Sequence, residues 1–182
     1  MSDHDLGKKL VEEEELQPFL DEYASVTGMT LRLSDRRGER PDFVCDKQGK
    51  LVGLELVQVM RNPTERERRI IMGREEQIHG SDAAMLVQKA VYEKEAKRSS
   101  AGWRYAELSI LVVQLRDSVG ADVAKYLNEH VMNEMSATGF IEIWIADYTV
   151  MEPYGTVQLL GVKPARWRGL HRHRFYGMKP YG

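Results

Sequence analysis

Residues 40–59 read Arg-Pro-Asp-Phe-Val-Cys-Asp-Lys-Gln-Gly-Lys-Leu-Val-Gly-Leu-Glu-Leu-Val-Gln-Val, and their pattern indicates a β-hairpin. Its polar middle, residues 47–50, is typical of a hairpin turn between strands over residues 42–46 and 51–60. Antiparallel pairing about that turn brings the beginning of the first strand beside the later part of the second. We therefore expect Asp42 and Glu55 to lie side by side on one face of a sheet.

Helices and strands alternate on both sides of this hairpin. Before it, the sequence predicts a helix over residues 9–26, with a kink or a restart at Pro18, and a short strand over 29–33. After it, the expected elements are helices over 62–77, 82–98 and 121–137 and strands over 107–114, 140–146 and 156–160. This order predicts an α/β fold, a mixed β-sheet flanked by helices, in one domain over residues 1–163.

Composition and length suit one ordinary globular domain. The chain has 182 residues, of which 42% are hydrophobic and 30% are charged. Its single cysteine, Cys45, excludes an internal disulfide and is expected to be a buried apolar residue. The sequence has no apolar run long enough to cross a bilayer, and its acidic beginning is unlike a signal peptide. A cytoplasmic protein without a membrane partner is the expectation.

The charge is unevenly distributed although its formal net value is only −2. Residues 1–22 carry eight acids against two lysines, whereas residues 163–182 carry six basic residues and no acid. The tail over residues 164–182 interleaves aromatic side chains with the arginines Arg166, Arg168, Arg172 and Arg174. Such a composition suits nucleic acid, since arginines contact phosphates and aromatic rings stack on bases. The alternative is a tail that packs on the acidic N-terminus of its own chain or of a second copy in a homodimer.

Asp42 and Glu55 have the chemistry of a metal site. Two carboxylates at close range repel unless a cation neutralises them, and ligation by oxygen alone suits Mg²⁺ or Mn²⁺. Glu55 also stands among apolar neighbours, where a lone acid is costly unless it has a partner. The alternative is a purely structural role, in which Asp42 caps a turn and Glu55 points to solvent.

The pattern Pro41-Asp42, a strand, a glycine-containing hairpin and then Gly53-Leu54-Glu55 resembles the core of the PD-(D/E)XK nuclease superfamily. The resemblance covers roughly residues 10–115 and implies a restriction-endonuclease-like αβββαβ core, here followed by an α-β-β extension. Asp42 and Glu55 match the two motif acids and would bind the metal. In that family an acid on the first helix often completes the site, and Glu15 is the better candidate for it than Glu12.

The sequence departs from that motif at the lysine, because Val57 stands two residues after Glu55. A β-bulge would be needed to bring Gln58 to the same face as Glu55. The other substitute is a lysine from the following helix, and the candidates there are Lys89 and Lys94, with Lys97 beside them.

The resemblance implies a metal-dependent endonuclease that hydrolyses phosphodiester bonds in nucleic acid, DNA in the first place. In this interpretation Asp42 and Glu55 bind the metal, Glu15 supports it, and Gln58, Lys89 or Lys94 assists the attacking water. Two alternatives stay open: a nucleic-acid-binding module of the same fold without activity, and a structural or oligomerisation protein with a vestigial site.

Overall fold

A mixed sheet of seven strands lies at the centre of the described part of the chain, which comprises residues 3–34, 41–60, 79–100, 103, 108–151 and 155–171. In this computed structural model the strands are β1 (Leu31–Leu33), β2 (Phe43–Lys47), β3 (Lys50–Val59), β4 (Ser109–Leu115), β5 (Glu142–Asp147), β6 (Gln158–Lys163) and β7 (Gly169–Leu170). The helices are α1 (Asp3–Thr27), α2 (Gly80–Arg98), α3 (Gly120–Ala124) and α4 (Glu129–Ser136). The predicted α/β class with a mixed sheet is confirmed.

The strands lie across the sheet in chain order, with parallel pairing in its middle. β3, β4 and β5 are parallel, and the remaining neighbours are antiparallel. Parallel neighbours need a crossover connection, and in chain order α2 lies between β3 and β4 while α3 and α4 lie between β4 and β5. The sheet thus combines an antiparallel hairpin with helical crossovers, as the sequence predicts.

The hairpin between β2 and β3 fixes the register on which the candidate site depends. Gln48 and Gly49 both have positive φ angles, 53° and 81°, as the two-residue turns that match the twist of paired strands require. Lys47 therefore pairs with Lys50, and Phe43 with Leu54. Asp42 precedes Phe43, so its backbone enters the sheet beside Glu55.

The sheet is covered on both faces. α1 packs its buried side chains Leu16, Phe19, Leu20 and Tyr23 on one face, which includes Leu54, Ile110, Val112 and Trp144. α2 packs Ala83, Val87 and Val91 on the other face, which includes Leu111, Val113, Ile143 and Ile145. Because successive residues of a strand point to opposite faces, all seven residues of β4 are buried, as expected for a central strand. Cys45 is buried as predicted.

Two predicted helices differ from the structure. α1 continues through Pro18, because burial of its apolar stripe on the sheet offsets the hydrogen bond that a proline lacks. The helix predicted over residues 121–137 is two helices, since Asn128 caps α4 by accepting a hydrogen bond from the Val131 N–H at 3.0 Å. The helix predicted over residues 62–77 lies outside the described residues.

The beginning of the predicted tail belongs to the fold. Residues Ala165–Trp167 form a 3₁₀ turn, and β7 pairs with β6 at Leu170 and Leu160. Gly161 permits this return, because a side chain there would collide with the Trp167 carbonyl. Residues 172–182 lie outside the described part. Among the described helices, none has the length and apolar character needed to cross a membrane.

Candidate functional site

Asp42 and Glu55 meet where the chain enters β2. The Asp42 N–H donates to Glu55 Oε1 at 3.1 Å, and the Leu56 N–H donates to Asp42 Oδ2 at 2.8 Å. The Glu55 side chain is only 3% exposed, whereas that of Asp42 is 36% exposed. The expected juxtaposition is therefore present, and the alternative in which Glu55 points to solvent is wrong. One acid lies inside the fold and the other faces its surface.

Lys94 of α2 completes the group. Its Nζ lies 2.7 Å from Glu55 Oε2 and 3.8 Å from Asp42 Oδ2, and its side chain is 16% exposed. The alternation of β3 directs Glu55 and Val57 to the face that α2 covers, where Val57 packs against the core. A lysine from the covering helix thus reaches the carboxylate pair, while the strand position two residues after Glu55 is apolar.

The electrostatics of Glu55 reflect this environment. Burial and the charge of Asp42 raise the pKa of Glu55 to about 7, against the opposing effect of Lys94 and of the Asp42 N–H. The three side chains together carry one net negative charge when both acids are ionised and Lys94 is protonated. Such a group attracts a cation, and Glu55 within it takes up or releases its proton near neutral pH.

Three other residues that the sequence offered for this site lie elsewhere. Lys89 projects into solvent, 69% exposed, and pairs with Glu93 at 3.7 Å. Gln58 points to the face of α1, because the pairing of β3 with β4 runs from Gly53 to Val59 without a bulge. Glu15 contacts Arg116 at 3.1 Å, since α1 covers the opposite face of the sheet from α2. The candidate site therefore does not include Lys89, Gln58 or Glu15.

The arginines proposed for nucleic acid have different surroundings. Arg168 donates from Nη1 to Asn133 Oδ1 at 2.9 Å, from Nη2 to Ser136 Oγ at 3.1 Å and from Nε to the Val162 carbonyl at 3.3 Å. Arg166 is exposed and lies over the ring of Trp167. Arg172 and Arg174 lie outside the described residues. Arg168 thus has a structural role in joining α4 to the end of the sheet.

A second ionic cluster, which sequence reasoning missed, lies on the α1 face. Glu142, 3% exposed, accepts hydrogen bonds from Lys47, from the Tyr23 hydroxyl at 3.2 Å and from Trp144 Nε1 at 2.8 Å. Burial and the charge of Glu142 raise the pKa of Tyr23. The sequence carried the same indication as for Glu55, because Glu142 also stands within an apolar strand. Both carboxylate oxygens of Glu142 accept hydrogen bonds from side chains of the protein, so the cluster has the character of a structural network.

The donor set at Asp42 and Glu55 fits a magnesium-type ion. Mg²⁺ is commonly bound by one or two protein carboxylates, with water and substrate phosphate completing its shell. Within the described ranges, no group of three or more histidine, cysteine, aspartate or glutamate side chains has the arrangement of a metal site. Asp42 and Glu55 are thus the residues that could hold such an ion at this place in the fold.

Comparison of the chain with models of protein families, with curated proteins and with solved structures finds no match.

Proposed function

We propose that the chain is a metal-dependent nuclease of the PD-(D/E)XK type that hydrolyses phosphodiester bonds in nucleic acid, with DNA as the first substrate to test. The observation that carries the proposal is the convergence of Asp42, Glu55 and Lys94 within 3.8 Å of one another's polar atoms. Two acids and a lysine are the groups that this chemistry requires, and here they come from the residue before β2, from β3 and from α2.

The order of elements supports a restriction-endonuclease-like core. The described chain runs α1, β1, β2, β3, α2 and β4, which corresponds to the αβββαβ order of that fold. Asp42 precedes β2 and Glu55 lies within β3, as in the motif. The lysine differs from the motif, because Lys94 belongs to α2 whereas the motif lysine stands on the strand that carries Glu55. We propose that Lys94 replaces the motif lysine from this new position.

Each residue has a distinct role in the proposed reaction. Asp42 and Glu55 would bind Mg²⁺ or Mn²⁺, which lowers the pKa of a bound water and stabilises charge on the scissile phosphate. Glu55 is held in place by the Asp42 N–H, so its carboxylate needs little reorganisation. Lys94 can donate to the attacking water or to a phosphate oxygen. Because its side chain is largely buried, its charge acts in a less screened environment than that of a surface lysine.

The experiment is a cleavage assay with plasmid and single-stranded DNA in the presence of Mg²⁺ or Mn²⁺. We expect cleavage by the wild type and its loss in Asp42→Asn and Glu55→Gln. Lys94→Met is expected to lose about 10²–10⁴-fold in rate, as is typical for a positioned catalytic group. Lys89→Met and Glu93→Gln, which change exposed residues of the same helix, are the matched controls and should retain full activity.

Cleavage that survives in Asp42→Asn or Glu55→Gln would contradict the assignment. A wild type that binds DNA in a salt-sensitive manner without cutting it would instead support the inactive binding module. If the protein neither binds nor cuts nucleic acid at low salt, the nuclease and the binding module are both excluded. The chain is then a structural or oligomerisation protein with a vestigial site.

A further inference from the structure

Lys94 lies where a metal ion would compete with it. Glu55 Oε1 accepts the Asp42 N–H and Asp42 Oδ2 accepts the Leu56 N–H, so backbone donors already engage one oxygen of each acid. The second oxygen of Glu55 accepts the Lys94 ammonium at 2.7 Å. The same ammonium lies 3.8 Å from Asp42 Oδ2, between the two carboxylates.

We infer that Lys94 is an exchangeable counter-ion, which competes with the divalent cation for Glu55 and pairs with a substrate phosphate once it is displaced. The inference rests on the proposed function and concerns the regulation of the same site. It makes binding of the cation and binding of the phosphate mutually dependent, through one side chain.

Leaving a largely buried charge without a partner costs free energy. An ammonium that loses its carboxylate in a side chain only 16% exposed is poorly compensated by water. A divalent cation near Glu55 also repels it. Lysine has a flexible stem with rotatable donors, so Lys94 can turn its ammonium away from Glu55 while its backbone stays in α2. A phosphate oxygen is the natural acceptor for it there.

Thermodynamic linkage turns this exchange into a measurable coupling. If the phosphate takes up the displaced ammonium, the cation binds more tightly in its presence, and the phosphate binds more tightly in the presence of the cation by the same factor. Without phosphate, Lys94 opposes the cation. Removing the ammonium should therefore strengthen binding of the cation while it weakens catalysis, which is opposite to the effect expected of an ordinary supporting residue.

The test is calorimetric titration of the full chain with Mn²⁺ at pH 8, for wild type, Lys94→Met, Lys94→Gln and Lys94→Arg. We expect Lys94→Met and Lys94→Gln to bind Mn²⁺ about 5- to 100-fold more tightly than wild type, within the range of typical coupling between sites. Lys94→Arg keeps the charge and should remain close to wild type. Lys89→Met is the control for a general change in charge, because Lys89 is exposed on the same helix. Thermal unfolding identifies any variant that fails to fold.

The second part repeats the titration with a phosphorothioate oligonucleotide and with a methylphosphonate oligonucleotide of the same sequence, which lacks backbone charge. The charged oligonucleotide should tighten Mn²⁺ binding in wild type more than in Lys94→Met and Lys94→Gln, and the uncharged one should not. Mn²⁺ affinity in both neutral variants that equals or falls below that of wild type overturns the inference. Binding of Mn²⁺ that is undiminished in Asp42→Asn and Glu55→Gln overturns the metal site itself, and with it the proposed function.

Discussion

Pro41 lies directly over Gly53. A Cβ added at Gly53 would lie 2.9 Å from Pro41 Cγ and 3.3 Å from Ser109 Oγ, closer than such atoms normally approach. Pro41 is buried and precedes Asp42, while Gly53 stands two residues before Glu55 on β3. The proline ring therefore occupies the space that the glycine leaves. We expect this contact to set how the chain enters β2, and thus where Asp42 stands relative to Glu55.

Replacing Gly53 should disturb the site through this contact. We expect Gly53→Ala to reduce the free energy of unfolding by about 1–3 kcal/mol, the usual range for overpacking, and to weaken Mn²⁺ binding. Pro41→Ala in the same chain removes the ring and should restore much of both quantities. Urea unfolding and calorimetry measure the two effects. Unchanged stability in Gly53→Ala, or no recovery in the double variant, would show that the contact does not position Asp42.

The carboxylate pair was predictable because its determinants are local. The turn at Gln48 and Gly49 fixes the register of the hairpin, and the alternation of β3 fixes the face of Glu55. The position of Lys94 depends on how α2 docks, which a hairpin does not determine. A signal was nevertheless present in α2, since Lys94 follows the buried Val87 by seven residues and Val91 by three, and so lies on the buried side of the helix. Lys89 is two residues away from each of these valines, so it lies on a different side of the helix.

Glu15 shows what the sequence could not decide. Its place beside the apolar stripe of α1 correctly predicts a position near the sheet, because Leu16 and Phe19 are buried there. Periodicity does not reveal which face of a sheet a helix will cover, and α1 covers the face opposite to Glu55. The partner of Glu15, Arg116, follows β4, far away in the chain. Whether Glu15 belongs to the site is therefore determined by long-range packing, which the local motif does not reveal.

The raised pKa of Glu55 predicts a specific pH dependence of stability. Its pKa is about 7 in the folded chain against 4.5 as the ordinary value, so the folded state binds this proton more tightly than the unfolded state. The corresponding contribution to stability is fully present below pH 4.5 and is lost as the pH rises to about 7. Wild type should therefore lose stability relative to Glu55→Gln between these values. Urea unfolding across that interval measures the difference, with Glu93→Gln as the exposed control. Parallel curves for wild type and Glu55→Gln would contradict the shift.

The arginines of the C-terminal segment should separate by role. Arg168→Ala removes two hydrogen bonds to α4 and one to the Val162 carbonyl of β6, and we expect a loss of about 1–2 kcal/mol in the free energy of unfolding. Arg166→Ala changes an exposed side chain two residues earlier and should leave stability unaltered. Chemical denaturation of the two variants makes the comparison. Equal stability of Arg168→Ala and Arg166→Ala would refute a structural role for Arg168.

The cluster around Glu142 should respond more strongly to loss of one partner than to loss of both charges. Lys47→Met leaves the buried Glu142 carboxylate with the neutral donors of Tyr23 and Trp144 as its partners among the described residues, and we expect it to cost about 3–5 kcal/mol in unfolding free energy. Adding Glu142→Gln removes the uncompensated charge. Its amide oxygen can still accept from Trp144 Nε1, and its amide NH2 can donate to the Tyr23 hydroxyl, so the double variant should be more stable than Lys47→Met alone. Lys125→Met, which breaks an exposed pair with Asp122, is the control and should unfold as wild type does. If the double variant is no more stable than Lys47→Met, the charge of Glu142 is compensated by something other than Lys47.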